Sequence, residues 1–159
     1  MCWSSAGTRR NAASPPRTWG RCPGGCGPVR PARVKDVGAG CTFSAALRQD
    51  GTVWTWGAGA NGRLGTGDNN DRNTPQKVED LTDVVSISVG CYHVLALTAD
   101  GAVKSWGWNG NGQLGNDSLT DSNVPVDVQQ LEGVAKLSAN SYNSFAILEA
   151  DNVIELALP

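Results

Sequence analysis

Two stretches of this chain are copies of one another, and their spacing restricts the fold more than any other property of the sequence. Cys41 to Gly65 reads CTFSAALRQDGTVWTWGAGANGRLG, and Cys91 to Gly115 reads CYHVLALTADGAVKSWGWNGNGQLG. Gly40 aligns with Gly90, Leu47 with Leu97, Asp50-Gly51 with Asp100-Gly101, Trp56-Gly57 with Trp106-Gly107, Asn61-Gly62 with Asn111-Gly112 and Pro75 with Pro125, without a gap. Self-similarity at a period of about 50 residues marks a repeat architecture, in which each unit buries its apolar face against the next.

The pattern within one unit is that of strands. Val84 to Val89 is rich in β-branched residues and bounded by Asp83 and Gly90, which predicts a first strand. Tyr92 to Thr98 follows as a second. Asp100-Gly101 predicts a tight hairpin with two positive-φ positions, a type I′ turn, and Ala102 to Trp108 returns as a third strand. A polar loop leads to the short apolar run Val124 to Val128, a weaker fourth strand. Four strands in about 50 residues describe one blade of a β-propeller. Asn109-Gly110-Asn111-Gly112 could be mistaken for a phosphate loop, but no helix follows whose N-terminus would complete the cradle, so turn-forming glycines are expected.

Charge divides the chain. Residues 1–33 carry six arginines and no acid, lack Leu, Ile and Phe, and are dense in Pro, Gly and Ala. Such a composition cannot bury enough apolar surface to offset its ordering entropy, so a disordered basic tail is expected. Residues 34–159 carry the remaining seven basic and all fifteen acidic residues. A nucleic-acid binder concentrates positive charge on its folded part, so neither nucleic acid nor membrane is an expected partner of the repeat region. No signal peptide and no apolar run long enough to span a bilayer stand out, which points to the cytoplasm by default. Cys22 and Cys26 lie in the tail without a second ligand pair nearby, so no zinc site is predicted. Cys41 and Cys91 occupy equivalent repeat positions and read as small buried hydrophobes.

The succession Gly90, His93, Ala96-Leu97, Asp100-Gly101, Val103, Trp106-Gly107, Asn109, Gly112-Gln113-Leu114-Gly115 and Pro125 resembles the regulator of chromosome condensation repeat. The resemblance covers about residues 34–149, and Trp-Gly stands where WD-type propellers carry Trp-Asp. It implies blades of a propeller that in this family has typically seven. The fold expected here is all-β: a partial β-propeller of two complete four-stranded blades plus fragments, behind an irregular N-terminal tail. The units are 34–83, 84–133 and a truncated 134–159. The first has Phe43 where His93 stands and Ala58-Gly59 where Trp108-Asn109 stand. The third replaces the motif's Gly and His by Asn140 and Asn143, and reads Leu156-Ala157 where Trp-Gly would fall. Thr18-Trp19-Gly20 in the tail echoes Thr55-Trp56-Gly57 as a vestigial repeat end. Two near-complete units cannot close such a ring alone, so a segment of a larger repeat protein is expected, or self-association through exposed blade edges.

Catalysis finds little support. His93 is the only histidine, at a position the resemblance assigns to packing and hydrogen bonding. Asp68-Asn69-Asn70-Asp71 breaks the order of a calcium loop at Arg72, and no cofactor or metal is predicted. Function is therefore sought on the surface. Trp56 and Trp106 repeat and are expected between blades. Trp54 and Trp108 do not repeat, and the loops 66–74 and 116–124 differ where their flanks agree. Trp54, Trp108, Asp68, Asn70, Arg72, Asp117 and Asp121 are the candidate partner-binding residues, since loops and tryptophans on a rigid scaffold commonly carry recognition. The expected function is a non-catalytic protein-interaction module binding another protein. The resemblance implies an alternative, guanine-nucleotide exchange on a small GTPase. It also admits tryptophan-based light sensing around a G-W-R-H-T motif, of which Gly107-Trp108 supplies only the first two residues.

Overall fold

The computed structural model describes residues 33–149 and the strand 154–157. The expected disordered tail, with Cys22, Cys26 and Thr18-Trp19-Gly20, lies outside the described residues. The rest is all-β. Strands β1 (Val34–Ala39), β2 (Phe43–Arg48), β3 (Val53–Gly57) and β4 (Arg72–Lys77) form one antiparallel sheet in chain order. Strands β5 (Val84–Val89), β6 (His93–Thr98), β7 (Val103–Gly107) and β8 (Ser122–Asp127) form a second. A third contains β9 (Val134–Ala139), β10 (Ser144–Leu148) and β11 (Ile154–Ala157). β5 packs on β1 and β2, and β9 packs on β5 and β6, so the sheets stack face to face like neighbouring propeller blades. No helix among the described residues is long and apolar enough to cross a membrane.

Up-and-down order sorts the connections to two ends of the stack. The β1–β2 turns and the long β3–β4 loops share one end, here called the loop end. The β2–β3 turns and the β4–β5 linkers share the other, the hairpin end.

The hairpins differ from the expected type I′ turn. Of Asp100 and Gly101 only the glycine has positive φ, at 87°. The turn closes through Gly101 N donating to Thr98 O and Thr98 N donating to Ala102 O. That is a three-residue loop, a type I turn followed by a left-handed glycine. The reason is loop length: the Thr98–Ala102 closure leaves three residues, Ala99 to Gly101, between the strands, and the Asp100 carboxylate braces the turn by accepting the Thr98 hydroxyl at 2.5 Å. Asp50 does the same for Thr52 at 2.6 Å in the first sheet. At the opposite strand end, Gly107 has φ 110°, and a Cβ there would run into the Tyr92 carbonyl.

The first interface is the better filled. Phe43, Leu47, Val53, Leu64, Val78, Leu81, Ile87 and Val94 form one buried cluster around Trp106, which has no exposed surface. As the repeat predicts, Trp106 lies between sheets. A Cβ on Gly65 of the first unit would come within 2.7 Å of the Trp106 Nε1, and Gly65 holds φ 66°. The indole nitrogen makes no hydrogen bond, so packing alone seats the ring. Trp56, its counterpart, is only partly buried because no described sheet covers that side of the first one. The same logic explains β6, all six of whose residues are buried between two neighbours. β10 instead alternates, with Phe145 and Ile147 exposed.

A polar bridge ties the second sheet to the third. His93 Nε2 lies 3.0 Å from Ser144 Oγ, and Ser144 Oγ donates to Gln113 O at 2.7 Å. The serine has one hydroxyl proton, so the His93 Nε2–H donates and Nδ1 is left without a partner. Desolvation lowers the ring's pKa from 6.5 to about 4.

The inner turns correct the reading of the cysteines. Cys41 N donates to Cys91 O, and Cys91 N donates to Asn140 O, each at 3.2 Å. These bonds draw equivalent positions of successive sheets together. Cys41 and Cys91 stand 4.7 Å apart at Cα and are disulfide-bonded, and Cys41 is exposed rather than a buried hydrophobe. Equal positions near the axis of a propeller meet each other, whereas the sequence places them only in equal surroundings.

Two expectations follow from these interfaces. Trp106→Ala should lower unfolding stability by about 3–5 kcal/mol, and Trp56→Ala by roughly 1 kcal/mol, read from urea unfolding midpoints. Equal losses would contradict an interface built on Trp106. Below pH 6.5 the unfolded chain binds a proton at His93 that the folded chain refuses down to about pH 4. Stability from this group is therefore complete above pH 6.5 and falls by about 3 kcal/mol as the pH drops to 4. The difference in pH profile between the native chain and His93→Gln measures it.

Candidate interaction surface

The structure separates the two unrepeated tryptophans. Trp54 pairs with Lys77 near the hairpin end, where the Arg48 guanidinium lies 5.3 Å from its ring centroid and its Nε1–H donates to Thr52 Oγ1 at 3.1 Å. Trp108 follows Gly107 at the loop end. Asp68, Asn70, Arg72, Asp117 and Asp121 belong to the loop end as well, with Trp108 and without Trp54.

Most of these polar residues are engaged within the fold. Asp68 accepts Asn70 N at 3.0 Å and the Arg72 Nη2 at 2.6 Å. The Asn70 amide first, then Arg72, hold the Asp68 carboxyl below its usual pKa. Asp71 and Asp121 share a repeat position and a task, accepting Gly59 N at 2.9 Å and Asn109 N at 2.8 Å. The second oxygen of Asp121 accepts Asn61 Nδ2 at 2.8 Å, which joins the first unit's loop to the second's. Gly67 and Asn123 add a second link, Gly67 N donating to Asn123 O at 2.9 Å and Asn123 Nδ2 donating to Gly67 O at 3.1 Å. Asp117 is exposed in the left-handed region at φ 56°. No group of three metal-ligating side chains converges among the described residues.

Asn109 organises the second loop from inside. Fully buried, it shares the two hydrogens of Nδ2 among three oxygens within reach, Asn116 Oδ1, Ser118 O and Thr120 O, and its Oδ1 accepts Leu114 N. Gly59 stands at this position in the first unit, so the first loop lacks that hub and is built around the Asp68–Arg72 pair instead.

A cluster not expected from the sequence gives the loop end its character. Trp108 stands edge-on to Tyr92 and to Tyr142, with centroids 6.1 and 5.6 Å away, and the two tyrosines are 5.8 Å apart. Arg63 of the first unit extends this row, its Cζ 4.9 Å from the Tyr92 centroid. Arg63 is 6% exposed and donates to Ala60 O, Thr42 Oγ1 and Asn61 Oδ1, all neutral oxygens. No carboxylate among the described residues lies within ion-pair distance of it. Tyr142 is 46% exposed, and Tyr92 and Trp108 are partly so. The result is a row of aromatic rings from two units, open to solvent and flanked by a cation with neutral partners. The available signal was the repeat position shared by Thr42, Tyr92 and Tyr142, which the converging inner turns bring side by side.

Comparison with known proteins follows the repeat. The sequence model described as "Regulator of chromosome condensation (RCC1) repeat" matches residues 50–97 and 100–147, and a second model of that description matches 34–63 and 84–113. The human E3 ubiquitin-protein ligase HERC2 is 45% identical over 49 residues, which are 31% of this chain and 1% of that protein. The Arabidopsis thaliana ultraviolet-B receptor UVR8 is 46% identical over 46 residues, 29% of this chain and 10% of the receptor. Human WBSCR16 superposes with a TM-score of 0.62 at 29% identity, over 68% of this chain and 29% of its own. Prp20p of Saccharomyces cerevisiae, described with its binding properties to Gsp1p and histones, superposes at 0.65 with 19% identity, over 71% of this chain and 30% of its own. Yeast RCC1 (Prp20) bound to Kap60 superposes at 0.64 with 24% identity, over 74% and 28%. This chain thus spans less than a third of each of these relatives. With the repeat models matching most of the two complete blades and the sheets stacking as theirs do, the chain belongs to the regulator of chromosome condensation repeat family.

Proposed function

We propose that the chain is a non-catalytic protein-binding module that works through the loop end of its blades, as part of a longer repeat array with units at 34–83, 84–133 and 134–159. The observation that carries this reading is the Tyr92, Trp108 and Tyr142 row beside Arg63. Trp, Tyr and Arg are the residues most enriched where binding energy concentrates. The charge of Arg63 meets only neutral oxygens inside the fold, which favours a partner that brings a carboxylate to the row. Trp108 is the central contact and Asp117 part of the rim. Asp68, Asn70, Arg72 and Asp121 hold the loops in shape beneath it. Trp54 offers a separate contact at the hairpin end.

That Prp20p binds Gsp1p and histones, and that yeast RCC1 was solved with Kap60, supports a protein as partner. Placement in a longer array is supported by the small share of each relative that the chain spans, and by Val34 and Val37, which are 54% and 69% exposed on the first sheet. Those strands also offer a surface for association between copies. Exchange on a small GTPase is the alternative, and it predicts faster release of labelled GDP from such a GTPase.

The test is binding by the full chain and by Trp108→Ser/Tyr142→Ser, whose circular dichroism should match. Proteins captured by the native chain are purified and titrated against both. Loss of about ten-fold or more in affinity in the double variant is expected. Unchanged affinity for every purified partner would place the binding surface elsewhere.

A further inference from the structure

The second sheet-to-sheet interface contains a cleft. Its volume is about 580 Å³, and Leu95, Val103, Leu114, Leu131, Leu137 and Ala146 are among its walls. One unit earlier, the residues at the same positions are Ala45, Val53, Leu64, Leu81, Ile87 and Ala96, all members of the cluster that encloses Trp106. Gly115, also on the wall, corresponds to Gly65, the glycine whose missing Cβ leaves room for that indole. Counted along the repeat, Leu156 falls where Trp106 stands, but β11 is displaced along β10, with Ala157 opposite Phe145 where the repeat would set it opposite Asn143. The cleft is continuous with the packed interface of the second and third sheets, since Leu95, Val103, Val128, Leu131, Leu137 and Ala146 belong to its apolar cluster.

The polar part of the wall is turned inward. Gln113 lines the cleft and is 1% exposed, and its Nε2 has no hydrogen-bond partner among the described residues. Its Oε1 is used, accepting Asn111 N at 3.0 Å. Gln113 thus keeps its amide inside the fold, and the largely apolar walls suit a large flat ring. Access is through the rim, where Leu119 is 70% and Phe145 37% exposed.

We propose that this cleft is a binding site for the tryptophan side chain of an extended peptide, received as the first interface receives Trp106. The site shares Asp117 with the rim of the surface proposed above and none of the aromatic row itself, so it stands without that function. Indole supplies the ring that the same six positions already enclose once in this molecule.

The probe is the hexapeptide Ala-Val-Lys-Ser-Trp-Gly, the sequence of residues 102–107, titrated into the full chain by protein-observed NMR. Saturable shifts centred on Leu114, Leu119 and Phe145 are expected. The same peptide with alanine in place of tryptophan should bind about thirty-fold more weakly or not at all. Leu119→Asp, at the exposed rim, should weaken the tryptophan peptide with the fold unchanged, and Ala146→Phe should block it from within. Should Ala146→Phe not fold, the rim variant and the alanine peptide decide the matter. Equal binding of both peptides, shifts confined to residues outside the cleft, or no binding at all would overturn the assignment.

Discussion

The seat of the Trp106 indole against Gly65 is the contact on which the stack depends. A ring of that size can lie flat between two sheets only if the backbone opposite carries no side chain, and the left-handed glycine provides this. Around it the two units present matched apolar faces, and β6 becomes buried on both sides. The sheets are therefore held by shape more than by polar bonds, since the indole nitrogen itself is unpaired. Polar links are added at the margins, through Asp121 to Asn61 and through His93 to Ser144, where they fix the relative placement of units already packed.

Much of this was legible in the sequence. The period, the strand order, the glycine turns and the interior place of Trp106 follow from the two aligned copies, because each depends on chemistry within one unit. What escaped depends on how one unit is turned against the next. Cys41 and Cys91 have the same address in successive repeats, and nothing in that address reveals that the inner turns touch. The aromatic row was missed for the same reason, since Tyr92 and Tyr142 are neighbours only once the blades converge. Among the candidate residues, Trp108 was picked out by its failure to repeat. Asp121 was picked out on a different signal, its place in a variable loop, and it shares with Asp71 a repeated structural task. The expected hairpin type failed more locally, because the strands close at Thr98 and Ala102 and so leave three residues in the loop where a type I′ hairpin has two.

The two ends of the stack differ in how they are built. At the hairpin end short turns are closed by aspartates on their own neighbours, and Trp54 is folded beneath Arg48. At the loop end the connections are longer and reach across units, so side chains of two blades share one surface. A partner at the loop end would thus contact more than one repeat at once, and its affinity would depend on their relative placement as well as on their residues.

The backbone bonds between inner turns bear on how such a chain can change over generations. Cys41 N to Cys91 O and Cys91 N to Asn140 O leave no slack, so an inserted residue in the β5–β6 turn at Cys91 would break a bond on each side of it. The β3–β4 connections are longer, and although Asn61, Gly67 and Gln113 are bonded to other units, residues 116–120 of the second blade make no such bond among the described residues. New length can enter there without disturbing the stack. The second blade thus has one loop stretch free to lengthen and one turn whose length is frozen, and the aromatic row lies where the two meet.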